Sequence, residues 1–108
     1  QVLSARVETE NAKSLRDLGD RLRDKMGSGV VVIGSRTSNK ALLLVLVTKD
    51  LTDWLHAGNI IKQVAKMIGG GGGGSSEMAQ AGGPKPERLE EALEAVYDII
   101  HTNSPPAS

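Results

Sequence analysis

The side chains able to do chemistry in this chain are few and poorly spaced for it. Its two histidines, His56 and His101, stand far apart, and neither belongs to a paired metal spacing such as H-x-x-x-H. There is no cysteine, which removes thiol nucleophiles, disulfide frameworks and the common zinc knuckles. Ser75 and Ser76 lack the G-x-S-x-G setting of an activated serine, and no base can be assigned to them. Asp50 and Asp53 form a close carboxylate pair, the residue type of acid–base catalysis, but Asp53 reads more simply as the N-cap of a helix containing Trp54 and Leu55. His56 near one helix start and His101 at another helix end suit capping and helix-dipole roles. No catalytic residue and no metal ligand emerges.

The tract Gly69, Gly70, Gly71, Gly72, Gly73 and Gly74 is the least ordinary feature. Without Cβ atoms it can bring backbone close to another chain, and successive N–H groups can form an anion-binding nest. It is not a nucleotide P-loop. Such a loop follows a strand and ends in Gly-Lys-Ser/Thr, whereas these glycines follow a helical pattern and lead into Ser75-Ser76. Composition alone reads residues 69–76 as a flexible loop or a Gly/Ser linker.

Charge is more informative by position than in sum. Thirteen basic side chains balance thirteen acidic ones, which argues against a polybasic binder. Residues 1–49 nevertheless hold nine Lys/Arg against five Asp/Glu, a net of +4, and residues 77–108 hold two against six, a net of −4. The acidic groups Glu87, Glu90, Glu91, Glu94 and Asp98 make the last helix the face turned away from a phosphate backbone. The basic candidates are Arg16 and Arg23 on the first helix, Arg36 and Lys40 around a hairpin, and Lys62 and Lys66 beside the glycines. Lys13–Asp17, Arg16–Asp20 and Asp17–Arg21 are i,i+4 pairs that can neutralise the first helix by themselves. Lys62 and Lys66 have no such neighbour. Trp54 and Tyr97 are the only aromatics, so base-stacking platforms of the RRM or OB kind lack their parts.

The elements that must position these residues follow from periodicity. Val2 to Val7 reads as a short strand, and Asn11 caps a helix to about Met26 with Leu15, Leu18, Leu22 and Met26 on one stripe. Val30 to Ile33 and Ala41 to Thr48 read as strands joined in an antiparallel hairpin, the first of them parallel to the opening strand through the helical crossover. A second helix runs from about Leu55 or Ala57 to Ile68, with Gly69 as its stop. Met78 to Ala81 reads as a short edge strand, and Pro86 opens a third helix. The fold class is α+β, an open α/β layer: a small mixed sheet carrying three helices in the order β-α-β-β-α-β-α. Residues 1–102 make one domain, and 103–108 a flexible tail with Pro105-Pro106. The longest apolar run, Ala41 to Val47, is far below a membrane span of ~20 residues, and no secretory leader is visible. The start at Gln1 reads as an excised or processed piece of a soluble protein.

A family likeness sits on the same residues. Ala57-Gly58-Asn59-Ile60-Ile61-Lys62, then Val64-Ala65, the glycines and Met78-Ala79-Gln80-Ala81-Gly82-Gly83 resemble the DHH-associated domain at the C-terminus of alanyl-tRNA synthetases. The likeness extends to Ser28-Gly29-Val30-Val31-Val32 and Leu89-x-x-Ala92-Leu93. It implies a domain that contacts the outer corner of the tRNA(Ala) L, links the aminoacylation and editing parts of a ligase, and takes part in homodimerisation. It also implies a cytoplasmic or organellar parent whose ATP, Mg and Zn are used in other domains, this domain being non-catalytic and without a cofactor. The contact region implied is Lys62, Lys66 and the Gly69–Gly74 backbone, with Arg16, Arg23 and Arg36 as lesser phosphate partners. Where the family commonly carries Arg-Pro-Asp after its glycines, this chain has Ser75-Ser76-Glu77. The alternatives are a protein-interaction module with negligible RNA affinity and the substrate-binding half of a DHH-type phosphoesterase. Those phosphoesterases place a His soon after their glycines, and here none follows.

Overall fold

The computed structural model describes residues 2–7, 11–37 and 39–103. Its elements are β1 (Val2–Val7), α1 (Ala12–Met26), β2 (Val30–Arg36), β3 (Ala41–Val47), α2 (Ala57–Ala65), β4 (Gly71–Gly74), β5 (Met78–Gly83) and α3 (Leu89–Asn103). Asn11 caps α1, its side chain accepting from the Lys13 N–H at 2.8 Å, and Gly27 ends it at φ 79°. Beyond α2, Lys66–Ile68 tighten into a 3-10 turn that stops at Gly69 in the left-handed region.

The strands form one sheet in the order β1-β2-β3-β5-β4. β1 lies parallel to β2 and every other pair is antiparallel, so the expected crossover and hairpin are both present. β3, seven apolar residues long and buried throughout, is the centre of the sheet. Pleating sends Val30, Val32, Leu43 and Val45 to one face, where α2 and α3 cover them with Ile61, Val64, Leu93 and Val96. It sends Val31, Ile33, Leu44 and Leu46 to the other, where α1 lays Leu15, Leu18, Leu22 and Met26 on them. α1 packs over β2 and β3, whereas α2 packs over β4 and β5. No helix among the described residues is long and apolar enough to cross a membrane.

Four expectations are corrected. The glycine tract is not a loop: Gly71–Gly74 pair with Ala79–Gly82 as a fifth strand, because β5 offers a free edge and glycines close enough to reach it. Met78–Gly83 is consequently an inner strand, and the tract itself is the edge. Asp53 caps nothing; it is exposed in the turn before α2, and His56 takes the N-cap, its Nδ1 accepting from the Asn59 N–H at 3.1 Å. At the other end, α3 extends through Asn103, whose side-chain N–H donates to the Ile99 carbonyl, so the helix takes in the first residue of the expected tail; residues 104–108 lie outside the described ones.

Asp50, the other half of the carboxylate pair, is a structural clasp. It accepts from the Ser28 hydroxyl and, at 2.6 Å, from the Thr48 hydroxyl, which itself accepts from the Gly29 N–H at 3.0 Å. These bonds tie the entry of β2 to the exit of β3. They hold the Asp50 carboxyl below its ordinary value of 3.8, the Ser28 bond most and the Thr48 bond next. A carboxylate lowered on folding stabilises the fold above its unfolded value and loses that contribution as pH falls through its folded one. Asp50→Asn is therefore expected to be less stable than wild type at pH 6, the gap closing at pH 2.5. Urea titrations at both pH values test this, and an equal gap at both would rule the clasp out.

Candidate nucleic-acid interface

The interface candidate is built on β4 and β5. Ser75 reverses the chain between them: its N–H donates to the Met78 carbonyl at 2.8 Å, and its hydroxyl accepts from Glu77 and Met78 N–H groups. The two serines are thus turn residues. The carbonyls of Ser75 and Ser76 in turn accept from Gly58 and Ala57 N–H groups at 2.9 and 3.0 Å, satisfying two of the donors that a helix start leaves open. Gly58 makes this approach close, since a Cβ there would stand 2.9 Å from the Gly74 carbonyl oxygen.

The glycines of the tract are not equivalent. A Cβ on Gly70 would lie 1.8 Å from the Gly82 carbonyl oxygen, one on Gly72 would lie 2.4 Å from that of Gln80, and one on Gly74 would lie 2.3 Å from that of Met78. Only glycine fits at these three positions. At Gly71 and Gly73 a Cβ would meet nothing within 4 Å, and neither has a positive φ. The fold asks for Gly69 by its left-handed backbone and for Gly70, Gly72 and Gly74 by packing; Gly71 and Gly73 are glycine without a packing reason.

Register puts Gly71 opposite Gly82 and Gly73 opposite Gln80, on the sheet face of Leu42 and Leu44. α1 stops short of this corner, leaving a floor of bare backbone beside the helix. A cavity of about 230 Å³ lies there, lined by Leu15, Leu42, Gly71, Gln80 and Gly82 among others. Lys40 stands next to it, its Cε 4.0 Å from where a Gly82 Cβ would be. Arg16 is exposed on α1 directly after Leu15, which forms the cavity wall.

The expected contact residues divide accordingly. Lys66 closes on Gly69, whose N–H donates to the Lys66 carbonyl at 3.1 Å, and Lys85 packs its methylenes at 3.0 Å from where a Gly69 Cβ would stand. Lys62 is exposed one turn earlier on α2, which lies on the opposite side of the sheet from the bare floor. Arg23 is engaged by Asp20 at 3.1 Å and Asp24 at 4.0 Å. Arg36 ends β2 beside Arg6, Gly34 and Leu89, on the α3 side and remote from the tract in strand order. Sequence reasoning missed Gln80, which was findable, since strand alternation places it opposite in facing to Ala79 and Ala81. Among the described residues, no group of three His, Asp or Glu side chains could hold a metal ion.

This five-stranded sheet with one helix on one face and two on the other places the chain in a known class. The chain belongs to the DHHA1 domain family, which matches over residues 1–102. Within that class its relatives are alanine–tRNA ligases. It is 50% identical over 100 residues, 93% of this chain, to the alanine–tRNA ligase of Desulfosudis oleivorans, and 54% identical over 99 residues, 92% of this chain, to that of Anaeromyxobacter dehalogenans. It spans about 11% of the length of each. The crystal structure of the C-Ala domain from Aquifex aeolicus alanyl-tRNA synthetase matches with a TM-score of 0.83 and 34% identity, covering 91% of this chain and 88% of that one. The mixed sheet with three helices is the fold of that domain.

Proposed function

We propose that this domain serves an alanine–tRNA ligase by docking the outer corner of tRNA(Ala) on the bare face of β4 and β5, without catalysing a step itself. The observation that carries the reading is the pair Gly71 and Gly73, kept free of side chains where the fold does not require it. Glycine in a strand interior costs roughly 0.5–1 kcal/mol against alanine, so an unneeded glycine at an exposed edge speaks for a partner that must approach the backbone. A flat RNA surface, recognised by shape rather than by inserted aromatics, meets that requirement. Lys40 and Arg16 border the face and supply phosphate contacts; the acidic α3 lies on the far side of the sheet. In this reading the domain links the aminoacylation and editing parts of the ligase by holding the tRNA both must use, and the ATP, Mg and Zn of the ligase act in other domains. The ligase relatives favour this over the phosphoesterase alternative.

The test is a salt series of tRNA(Ala) binding. Changing Arg16 and Lys40 together to Glu is expected to weaken binding and to lower the slope of log affinity against log salt by about two, while changing Lys62 and Lys66 together to Glu probes the α2 side. An unchanged slope in the Arg16/Lys40 variant with a lowered one in the Lys62/Lys66 variant would move the RNA to the α2 side of the sheet. A second reading rests on the open edge of β4, which a second copy of the chain could extend by strand pairing. Sedimentation at rising concentration, with and without tRNA, separates a dimer indifferent to RNA from a tRNA-bound monomer.

A further inference from the structure

Gln80 is the one polar side chain on the bare face whose hydrogen-bonding capacity is left over. Its Oε1 is shut off from solvent and has no hydrogen-bond partner among the described residues. The residue itself is only half-buried and lines the cavity between Leu15, Gly71 and Gly82. An unpaired buried oxygen is unfavourable, and a strand position opposite Gly73 and two residues from Gly82 would take an apolar side chain without steric difficulty. The closed molecule therefore gains nothing from this carboxamide.

We infer that Gln80 is a specificity-determining contact of the site proposed above, turning its carboxamide outward to accept a hydrogen bond from a donor group of the bound RNA. The inference rests on that reading of the glycine face. Rotation out of the cavity breaks no hydrogen bond of Oε1, so the bond formed to the RNA is not offset by one lost inside the protein. On RNA the donor is a ribose 2′-hydroxyl or a base amine. The glycines at 71, 73 and 82 leave the space into which the side chain turns.

The experiment compares wild type with Gln80→Met, which keeps length and removes the polar atoms, in binding to tRNA(Ala) transcript and to its all-DNA counterpart. Thermal melting is expected to show Gln80→Met at or above the wild-type midpoint, since an unsatisfied oxygen has gone. Its affinity for the transcript is expected to fall about three- to tenfold, the range of one hydrogen bond. A loss on RNA alone identifies a ribose hydroxyl as the donor, and a loss on both nucleic acids identifies a base amine. Equal affinities of wild type and Gln80→Met for both would overturn the contact. If valines at 71 and 73 weaken binding while Gln80→Met does not, only the role of Gln80 fails. If wild type does not bind, or the valine variant binds as wild type does, the glycine-face reading fails and Gln80 with it.

Discussion

Gly70→Ala is expected to destabilise the domain by roughly 2–4 kcal/mol, while Gly71→Ala next to it leaves stability unchanged or raises it slightly. The difference lies in what each Cβ would meet. At Gly70 it would stand 1.8 Å from the Gly82 carbonyl oxygen and 2.7 Å from the Gly83 Cα, both backbone atoms of a strand held on its other side by β3. Neither can move without breaking the β3–β5 ladder, and the Gly70 N–H bond to the Ala65 carbonyl would be lost with the displacement. At Gly71 the methyl enters open space, and alanine lowers the entropy of the unfolded chain. Urea unfolding of the two variants side by side is the measurement. Equal midpoints would mean that β4 does not approach β5 as closely as described.

The second large effect is on binding. Valine at both Gly71 and Gly73 suits a strand by propensity and its Cβ meets nothing within 4 Å, so folding stability is expected to change by no more than about 1 kcal/mol. Affinity for tRNA(Ala) is expected to fall at least tenfold, because two branched side chains would stand on the surface the RNA must touch. That separation, fold intact and binding gone, distinguishes a docking face from a merely permissive edge. Filter binding at constant salt reads it directly, and wild-type affinity in the valine variant would place the RNA elsewhere on the domain.

Much of the fold was legible in the chain because its signals are local. The Leu15, Leu18, Leu22, Met26 stripe, the Asn11 cap and the unbroken Ala41–Val47 run each reflect nearest-neighbour physics, and each element stands where its pattern put it. The glycine tract was not legible, since six residues without side chains carry neither alternation nor propensity. Only the neighbour, β5, makes them a strand, and that is a pairing between residues distant in chemistry though close in sequence. The same gap explains the site. Lys62 and Lys66 are prominent in sequence because they lack acidic neighbours, but which sheet face is bare depends on α1 stopping short of β5, a packing fact that no local pattern records. Gln80, buried in a run of alanine and glycine, looks like filler until its register opposite Gly73 is known.

The position of β4 outside β5 has one more consequence, for local opening. β5 stays bonded to β3 when β4 detaches, so the glycine strand can leave with the β2–β3–β5 ladder intact, uncovering only the part of α2 that lies over it. Its detached state is rich in backbone entropy, which glycine gives up more of than any other residue on ordering. Edge opening and global unfolding are thus separate events in this domain. A partner that covers β4 would slow amide exchange along Gly71–Gly74 while leaving β2 and β3 as slow as before.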